Sequence, residues 1–285
     1  MKEKKNSVQV GLVQMSMSSS REENLEKALV AIRELAGRGA HVVCLSELFL
    51  SRYFCQTKDD SYFTLAEPIP SSTTEILSRV AKETGVVLVA SLYEKADTKH
   101  FNTAVVFDAD GALLGMYRKM HIPNDPEHGY GETYYFDAGD LGFKVFETKA
   151  GRIAPMICWD QWFPEGARVA ASKGAQILFY PTAIGWNEID TEPIREAEHE
   201  AWQTIQRSHS IANNVFTVAV NRTGKEDDLT FWGTSFVSDP YGRVISKASV
   251  GNSENLLVTC DLDTIDSVRK DWPFMDARRI RYDNP

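Results

Sequence analysis

Three polar residues stand where apolar, strand-like runs stop: Glu47 at the end of HVVCLSE, Lys119 at the end of LLGMYRK, and Cys158 at the end of RIAPMIC, just before WDQWFPE. In open α/β sheets the groups that handle ligands gather beyond the strand ends, so residues distant in sequence can converge there. A thiol to attack, a carboxylate to move protons and a fixed cation to hold developing oxyanion charge are together the components of nucleophilic acyl transfer. Taken singly, each has an ordinary alternative. A cysteine at a strand end also serves as a small buried hydrophobe, a lysine as a solvated surface charge, and a glutamate as a helix cap or ion-pair partner.

Other chemistries lack their residues. No G-x-S-x-G elbow, P-loop, complete G-x-G-x-x-G or H-E-x-x-H occurs, which removes support for serine-hydrolase, nucleotide-binding and zinc-protease readings. The histidines at 41, 100, 121, 128, 199 and 209 show no paired ligand spacing, so neither a metal nor another cofactor is expected. His209, in QRSHSIANN, sits inside a helical stretch and reads as a hydrogen-bonded structural residue. Cys44 and Cys260 lie within apolar runs with nothing basic beside them and read as inert core residues. Cys55, in SRYFCQ, reads as packing near a pocket that Tyr53 and Phe54 wall.

Positioning these groups takes an α/β chain with a mixed sheet. Strands are expected at 8–15, 41–47, 86–91, 103–108, 143–148, 152–158, 176–181, 216–221, 233–239 and 256–262, too many for one small sheet. Several are apolar on both faces, as in a sheet covered on each side. Periodicity and end signals predict helices over 24–37, 71–85, 164–174 and 193–213. Asp110-Gly111 marks a hairpin turn within FNTAVVFDADGALLG. The stretch from about Lys119 to Leu141, dense in Pro, Gly, Asp and Tyr, reads as an ordered functional loop. No linker, low-complexity tract or internal period appears, so one domain over residues 1–285 is expected.

Composition bounds the partners. The 285 residues are 43% hydrophobic, enough for a sizeable core, and carry 31 Lys plus Arg against 40 Asp plus Glu, a net charge of −9. That average field opposes a phosphate backbone or an anionic membrane surface, so neither nucleic acid nor membrane is expected as a partner. No apolar run is long enough to span a bilayer. MKEKKNSVQVGLVQM has a basic start, but Gln9 and Gln14 interrupt its apolar stretch and no small-residue cleavage pattern follows. It reads as an opening strand, and the Asn221-Arg222-Thr223 sequon reads as chance. Four scattered cysteines fit a reducing compartment, and a cytoplasmic location is expected.

The segments around the three residues, SELFL, YRKMHIP and ICWDQWFPE, resemble the nitrilase, or carbon-nitrogen hydrolase, superfamily, whose members place a Glu, a Lys and a Cys in this order after successive strands. The resemblance runs from VQVGLVQM through NRTG at 221–224 to FWGTSFVSDPYGRV. It implies a four-layer αββα sandwich and a homo-oligomer of dimers or larger, with the C-terminal tail from about residue 262 in subunit contacts. It also implies that Cys158 attacks an amide-like carbonyl, that Lys119 and the backbone N–H of Trp159 hold the oxyanion, and that Glu47 moves protons into and out of a thioester. A second assisting glutamate maps onto Glu132 in DPEHGYGETYYF, where the chain departs from the family form DPxYYEKxYF by a longer loop with one tyrosine fewer.

Within the superfamily, KMHIPNDP, FYPTAIGW, YFCQ and ICWDQWFPE look most like the amidohydrolases of polyamine synthesis that act on a carbamoylated amine. The alternatives inside it are a nitrilase, an omega-amidase, a β-ureidopropionase and a D-amino-acid carbamoylase; outside it they are a catalytically silent scaffold of the same fold and a metal-dependent phosphoesterase. The expected partner is a small cationic carbamoyl substrate, whose amine tail needs a carboxylate to offset lost hydration. Asp125 and Glu127 after the lysine motif, and Glu188 and Asp190 after Trp186, are the candidates. Tyr53 and Trp186 are expected at the substrate.

Overall fold

In a computed structural model, which describes residues 6–279, strand alternation decides the layers. The strands in the first half of the chain are β1 (Ser7–Gln14), β2 (Val42–Leu45), β3 (Val87–Ala96), β4 (Lys99–Phe107), β5 (Leu113–Arg118), β6 (Phe146–Thr148) and β7 (Gly151–Pro155). Those that follow are β8 (Ile177–Thr182), β9 (Gly185–Asn187), β10 (Phe216–Asn221), β11 (Thr223–Glu226), β12 (Leu229–Trp232), β13 (Phe236–Ser238), β14 (Val244–Lys247) and β15 (Glu254–Asp261). One six-stranded sheet has the order β15-β1-β2-β3-β4-β5 and a second β14-β13-β10-β8-β7-β6. Each has three parallel strands at its centre, β1-β2-β3 and β10-β8-β7, flanked by antiparallel neighbours.

Successive side chains of a strand point to opposite faces, and here both faces are buried. Val10 and Leu12, Val42 and Cys44, and Val87 and Val89 meet Ile177, Phe179, Val218 and Val220 of the other sheet. The intervening Val13, Val43, Leu45, Leu88 and Ala90 meet helices α1 (Arg21–Gly37) and α2 (Ser72–Thr84). On the far side, Ala167, Ala170 and Ala171 of α3 (Pro164–Ser172) pack on Ala154 and Leu178, while Trp202 of α4 (Glu192–Asn213) packs on Ala219 and Phe236. The result is the four-layer αββα sandwich. The chain ends in α5 (Asp263–Asp271) and α6 (Phe274–Ala277). Trp272 and Phe274 stand there partly exposed, and the last residues of the expected contact tail, 280–285, lie outside the described residues.

The expected elements form, with instructive differences at their ends. Helix α2 carries a reciprocal cap between Ser71 and Thr74 and stops on left-handed Gly85, while α1 starts earlier than expected because the Ser20 hydroxyl accepts from Glu23 N. β2 and β7 stop before Glu47 and Cys158, because left-handed residues, Leu48 at φ 47° and Cys158 at φ 40°, turn the chain out of the sheet. β13 begins late because Gly233 and Thr234 are also left-handed. The small sheet β11-β12-β9 has no counterpart in the sequence reading: its hairpin, TGKEDDLTFW, turns at left-handed Asp227 and lacks apolar alternation. Among the described residues no helix is long and apolar enough to cross a membrane.

Candidate active site

Glu47 sits in the turn after β2, wholly buried. Its Oε1 accepts from Asn102 Nδ2 at 2.7 Å and from Lys119 Nζ at 2.8 Å. Its Oε2 has no hydrogen-bond partner among the described residues. Asn102 lies on β4 and is aimed by Ser91 of β3, whose hydroxyl donates to Asn102 Oδ1 at 2.9 Å and accepts from Leu48 N at 3.1 Å. The Asn102 carbonyl also accepts from Lys119 N at 2.8 Å as the chain leaves β5. One asparagine therefore sets the spacing of base and cation. Gly139 closes the loop beneath, donating to the Lys119 carbonyl; any side chain there would collide with the Arg118 carbonyl.

Lys119 Nζ also reaches both oxygens of Glu132, at 2.9 and 2.7 Å, and Tyr53 OH donates to Glu132 Oε1 at 2.6 Å. One ammonium thus faces two fully buried carboxylates. Burial works against the Lys119 charge, but Glu132 and Glu47 outweigh it and hold its pKa well above the ordinary lysine value. Burial raises the Glu132 carboxyl, against the pull of Lys119 and with the help of Glu47's negative charge. The two carboxylates thus favour the charged form of Lys119, while burial favours the protonated form of Glu132.

Cys158 opens a 3-10 turn, Cys158–Trp162, directly after β7. A left-handed, non-glycine residue is strained, and such strain collects where geometry serves function. Asp160 holds the turn: its Oδ2 accepts from Ile157 N at 2.9 Å and Tyr117 OH at 2.7 Å, and its Oδ1 from His121 N at 3.1 Å. Tyr117 and His121 flank Lys119 in the chain, so one carboxylate ties the elbow to the lysine segment. Burial, then the charge of Glu47, pushes the Cys158 thiol well above its usual pKa, with Lys119 opposing. The resting group is therefore a thiol that must give up its proton to react. Trp159 N–H lies in the first turn of the 3-10 helix, where backbone donors lack partners within the helix.

Cys158, Trp159 and Glu132 line one cavity of about 240 Å³. Tyr130, Trp162 and Trp232 give it aromatic walls, and Asp125, His128 and Glu198 give it charge. His128 Nδ1 is 2.9 Å from Asp125 Oδ2, and the backbones of Asp125 and Tyr130 pair through two hydrogen bonds, so the longer loop presents all three residues together. Tyr130 OH bonds both the carbonyl and the N–H of Gly185. A second cavity of about 220 Å³, bordered by Arg21, Leu48, Tyr53 and Tyr93, does not include Cys158, Lys119 or Glu132 in its walls. Among the described residues no group of three His, Cys, Asp or Glu is placed to hold a metal ion.

Of the residues expected at the substrate, Asp125 lines the cavity, and Tyr53 acts from behind it through Glu132. Trp186 stands one layer back, packed on the lining ring of Trp232 with its indole N–H donating to the Arg195 carbonyl at 2.9 Å. The expectation for Glu188 is corrected. Pairing of β9 with β12 carries it to the surface, where it meets Lys225. Glu127 and Asp190 do not line the cavity, and Asp190 instead accepts from Asn187 N at 2.6 Å. The acid that sequence reasoning missed is Glu198 of α4. Burial raises its pKa, helped by Asp190 and opposed by His128. Asn102 and Arg222 were missed as well. Asn221 of the sequon is buried and bonds Ile184 N and O, which excludes a glycan on this folded form.

Comparison with known proteins adds the following. Residues 9–270 match the carbon-nitrogen hydrolase family. The chain is 41% identical to the N-carbamoylputrescine amidase of Arabidopsis thaliana, over 95% of this chain and 92% of that one. It is 39% identical to a citrullinase of Francisella tularensis, over 97% of each. The crystal structure of a carbon-nitrogen hydrolase from Helicobacter pylori G27 superposes with a TM-score of 0.92 at 40% identity, covering 98% of this chain and 97% of that one.

Proposed function

The chain belongs to the carbon-nitrogen hydrolase family, and on that premise we propose that it hydrolyses N-carbamoylputrescine to putrescine, carbon dioxide and ammonia, as a step of polyamine synthesis in the cytoplasm. The observation that carries this reading is the cavity: it joins the strained thiol of Cys158 and the carboxylate of Glu132 to the acids Asp125 and Glu198. A ureido group can thus meet the thiol while a cationic tail meets a carboxylate.

Cys158 Sγ attacks the ureido carbon as its proton passes to Glu47, whose Oε2 has no other partner among the described residues. The carbonyl oxygen becomes an oxyanion held by Lys119 Nζ and Trp159 N–H. Glu47 returns the proton to the first departing nitrogen, leaving a thioester on Cys158. Water, deprotonated by Glu47, attacks that thioester; the thiol leaves with a proton, and the released carbamate breaks down to carbon dioxide and the second amine or ammonia. Glu132 holds Lys119 and, with Tyr53, fixes its direction. No electron transfer occurs and one water is consumed.

The similarity to N-carbamoylputrescine amidases supports the substrate, and so does the rim chemistry. Citrulline has the same ureido group at the same spacing from an amine, plus a carboxylate. Asp125 and Glu198 oppose that carboxylate, whereas protonated His128 would accept it. Ammonia release from a panel of N-carbamoylputrescine, citrulline and N-carbamoyl-β-alanine tests the assignment. The first should have the highest kcat/KM. Faster turnover of a carboxylate-tailed compound would overturn the polyamine reading and leave the thiol hydrolase intact.

A further inference from the structure

We infer that the buried ion pair of Arg222 with Glu226 positions both carboxylates of the site: it fixes the backbone of Glu47 and, through Tyr53, the carboxylate of Glu132. β2 ends at Leu45, so the turn carrying Glu47 has no strand ladder to hold it, and Leu48 within it is left-handed. Its carbonyls instead converge on one guanidinium. Arg222 Nη2 donates to Glu47 O at 2.7 Å and Leu48 O at 3.1 Å, and Nη1 donates to Ser51 O at 3.1 Å.

Arg222 is wholly buried, and Glu226 balances its charge with both carboxylate oxygens, at 3.0 and 3.1 Å from Nη1. Glu226 Oε2 in turn accepts from Tyr53 N at 2.6 Å, and the Tyr53 hydroxyl reaches Glu132. The path Glu47, Arg222, Glu226, Tyr53, Glu132 therefore closes on the two carboxylates that grip Lys119. A buried pair is poor value as stability alone, since well-packed apolar residues serve that purpose as well. Here all five bonds made by the Nη atoms of Arg222 end on the Glu47–Ser51 segment or on the acid that anchors Tyr53. The planar fork matters: a lysine supplies the charge but cannot span these acceptors at once.

The inference rests on Glu47 acting as the base of a thiol hydrolase, and is independent of the substrate's identity. Its test compares Arg222→Lys and Glu226→Gln with the wild-type enzyme. Each is checked for folding by circular dichroism and thermal melting. Readouts are kcat, KM and the rate of Cys158 alkylation by iodoacetamide. A displacement of Glu47 by about an ångström costs on the order of 100-fold in rate. Arg222→Lys should lose that much in kcat while KM stays within about threefold. Alkylation of Cys158 should slow in parallel, because a displaced Glu47 no longer takes up the thiol proton. Glu226→Gln, which keeps the shape, should give the same pattern more weakly. A folded Arg222→Lys with near-normal kcat overturns the inference, as does a loss that follows the unfolded fraction with the alkylation rate of the folded protein unchanged. If Arg222→Lys fails to fold, Glu226→Gln decides by the same criteria. A wild-type enzyme inactive on ureido compounds would sink the proposed function, yet the alkylation rates would still decide this point.

Discussion

Tyr53 and Glu132, 79 residues apart in the chain, meet through a 2.6 Å hydrogen bond from the phenol to a carboxylate oxygen that Lys119 also contacts. Burial keeps the Tyr53 hydroxyl protonated and therefore a donor. Its bond favours the ionised form of Glu132 against the burial that raises that group's pKa.

Tyr53→Phe removes that bond and little volume. The pKa of Glu132 should rise further, so activity that needs the ionised cluster is lost at higher pH as pH falls. The expected signs are an acid limb displaced upward and a kcat about tenfold lower, in line with losing a hydrogen bond to a charged group. An unshifted pH profile would show that Glu132 does not titrate with the catalytic cycle.

The two glutamates should separate by role. Glu47→Gln keeps the shape, removes proton transfer and should cost roughly 100- to 10,000-fold in kcat. Glu132→Gln leaves Lys119 with one charged partner and should be milder. Steady-state kinetics of both variants check the division, and a greater loss in Glu132→Gln would reverse it.

Strain at Cys158 offers a separate reading of stability. A left-handed conformation costs an L-residue roughly 1–2 kcal/mol, which glycine avoids although its unfolded chain is looser by roughly 0.5–1 kcal/mol. Cys158→Gly should therefore melt at or above Cys158→Ala, both being inactive. At an ordinary position the glycine variant would melt lower, and that result would show the elbow to be unstrained.

Much of this site was legible before the structure because the apolar runs that carry Glu47, Lys119 and Cys158 end beside them, and strands apolar on both faces demand covering layers. Glu132 came from family resemblance, since nothing in GYGETYYF alone marks a buried acid. Glu198 was invisible for a physical reason: in EAEHEAW an acid on an amphipathic helix looks like part of a solvated face, and only packing shows that it borders a cavity. Arg222 entered the sequence reading only as the middle of a chance sequon, and only the fold shows its guanidinium turned onto the Glu47 and Leu48 carbonyls. Glu188 was misplaced because the pairing of β9 with β12, which turns it outward, leaves no alternation in the sequence.

The rim should make substrate binding pH-dependent. Glu198 has a raised pKa, by burial and Asp190, and His128 a raised one, by its bond to Asp125. As pH falls, Glu198 loses negative charge and His128 gains positive charge, and both changes weaken the hold on a cationic tail. KM for N-carbamoylputrescine should rise on acidification. Glu198→Gln should raise KM about tenfold, the scale of one partly buried charge interaction, while leaving kcat nearly unchanged. An unchanged KM would place the amine elsewhere.

The central claim, a covalent thioester on Cys158, is tested most directly by acid-quenching the enzyme during turnover of N-carbamoylputrescine and mapping the adduct by peptide mass spectrometry. The account predicts one adduct, on the peptide containing Cys158, with the mass of the substrate less ammonia or less putrescine, according to which of the two ureido nitrogens leaves first, and none in Cys158→Ala. Turnover at the wild-type rate by Cys158→Ala, or an adduct on another residue in its place, would contradict it.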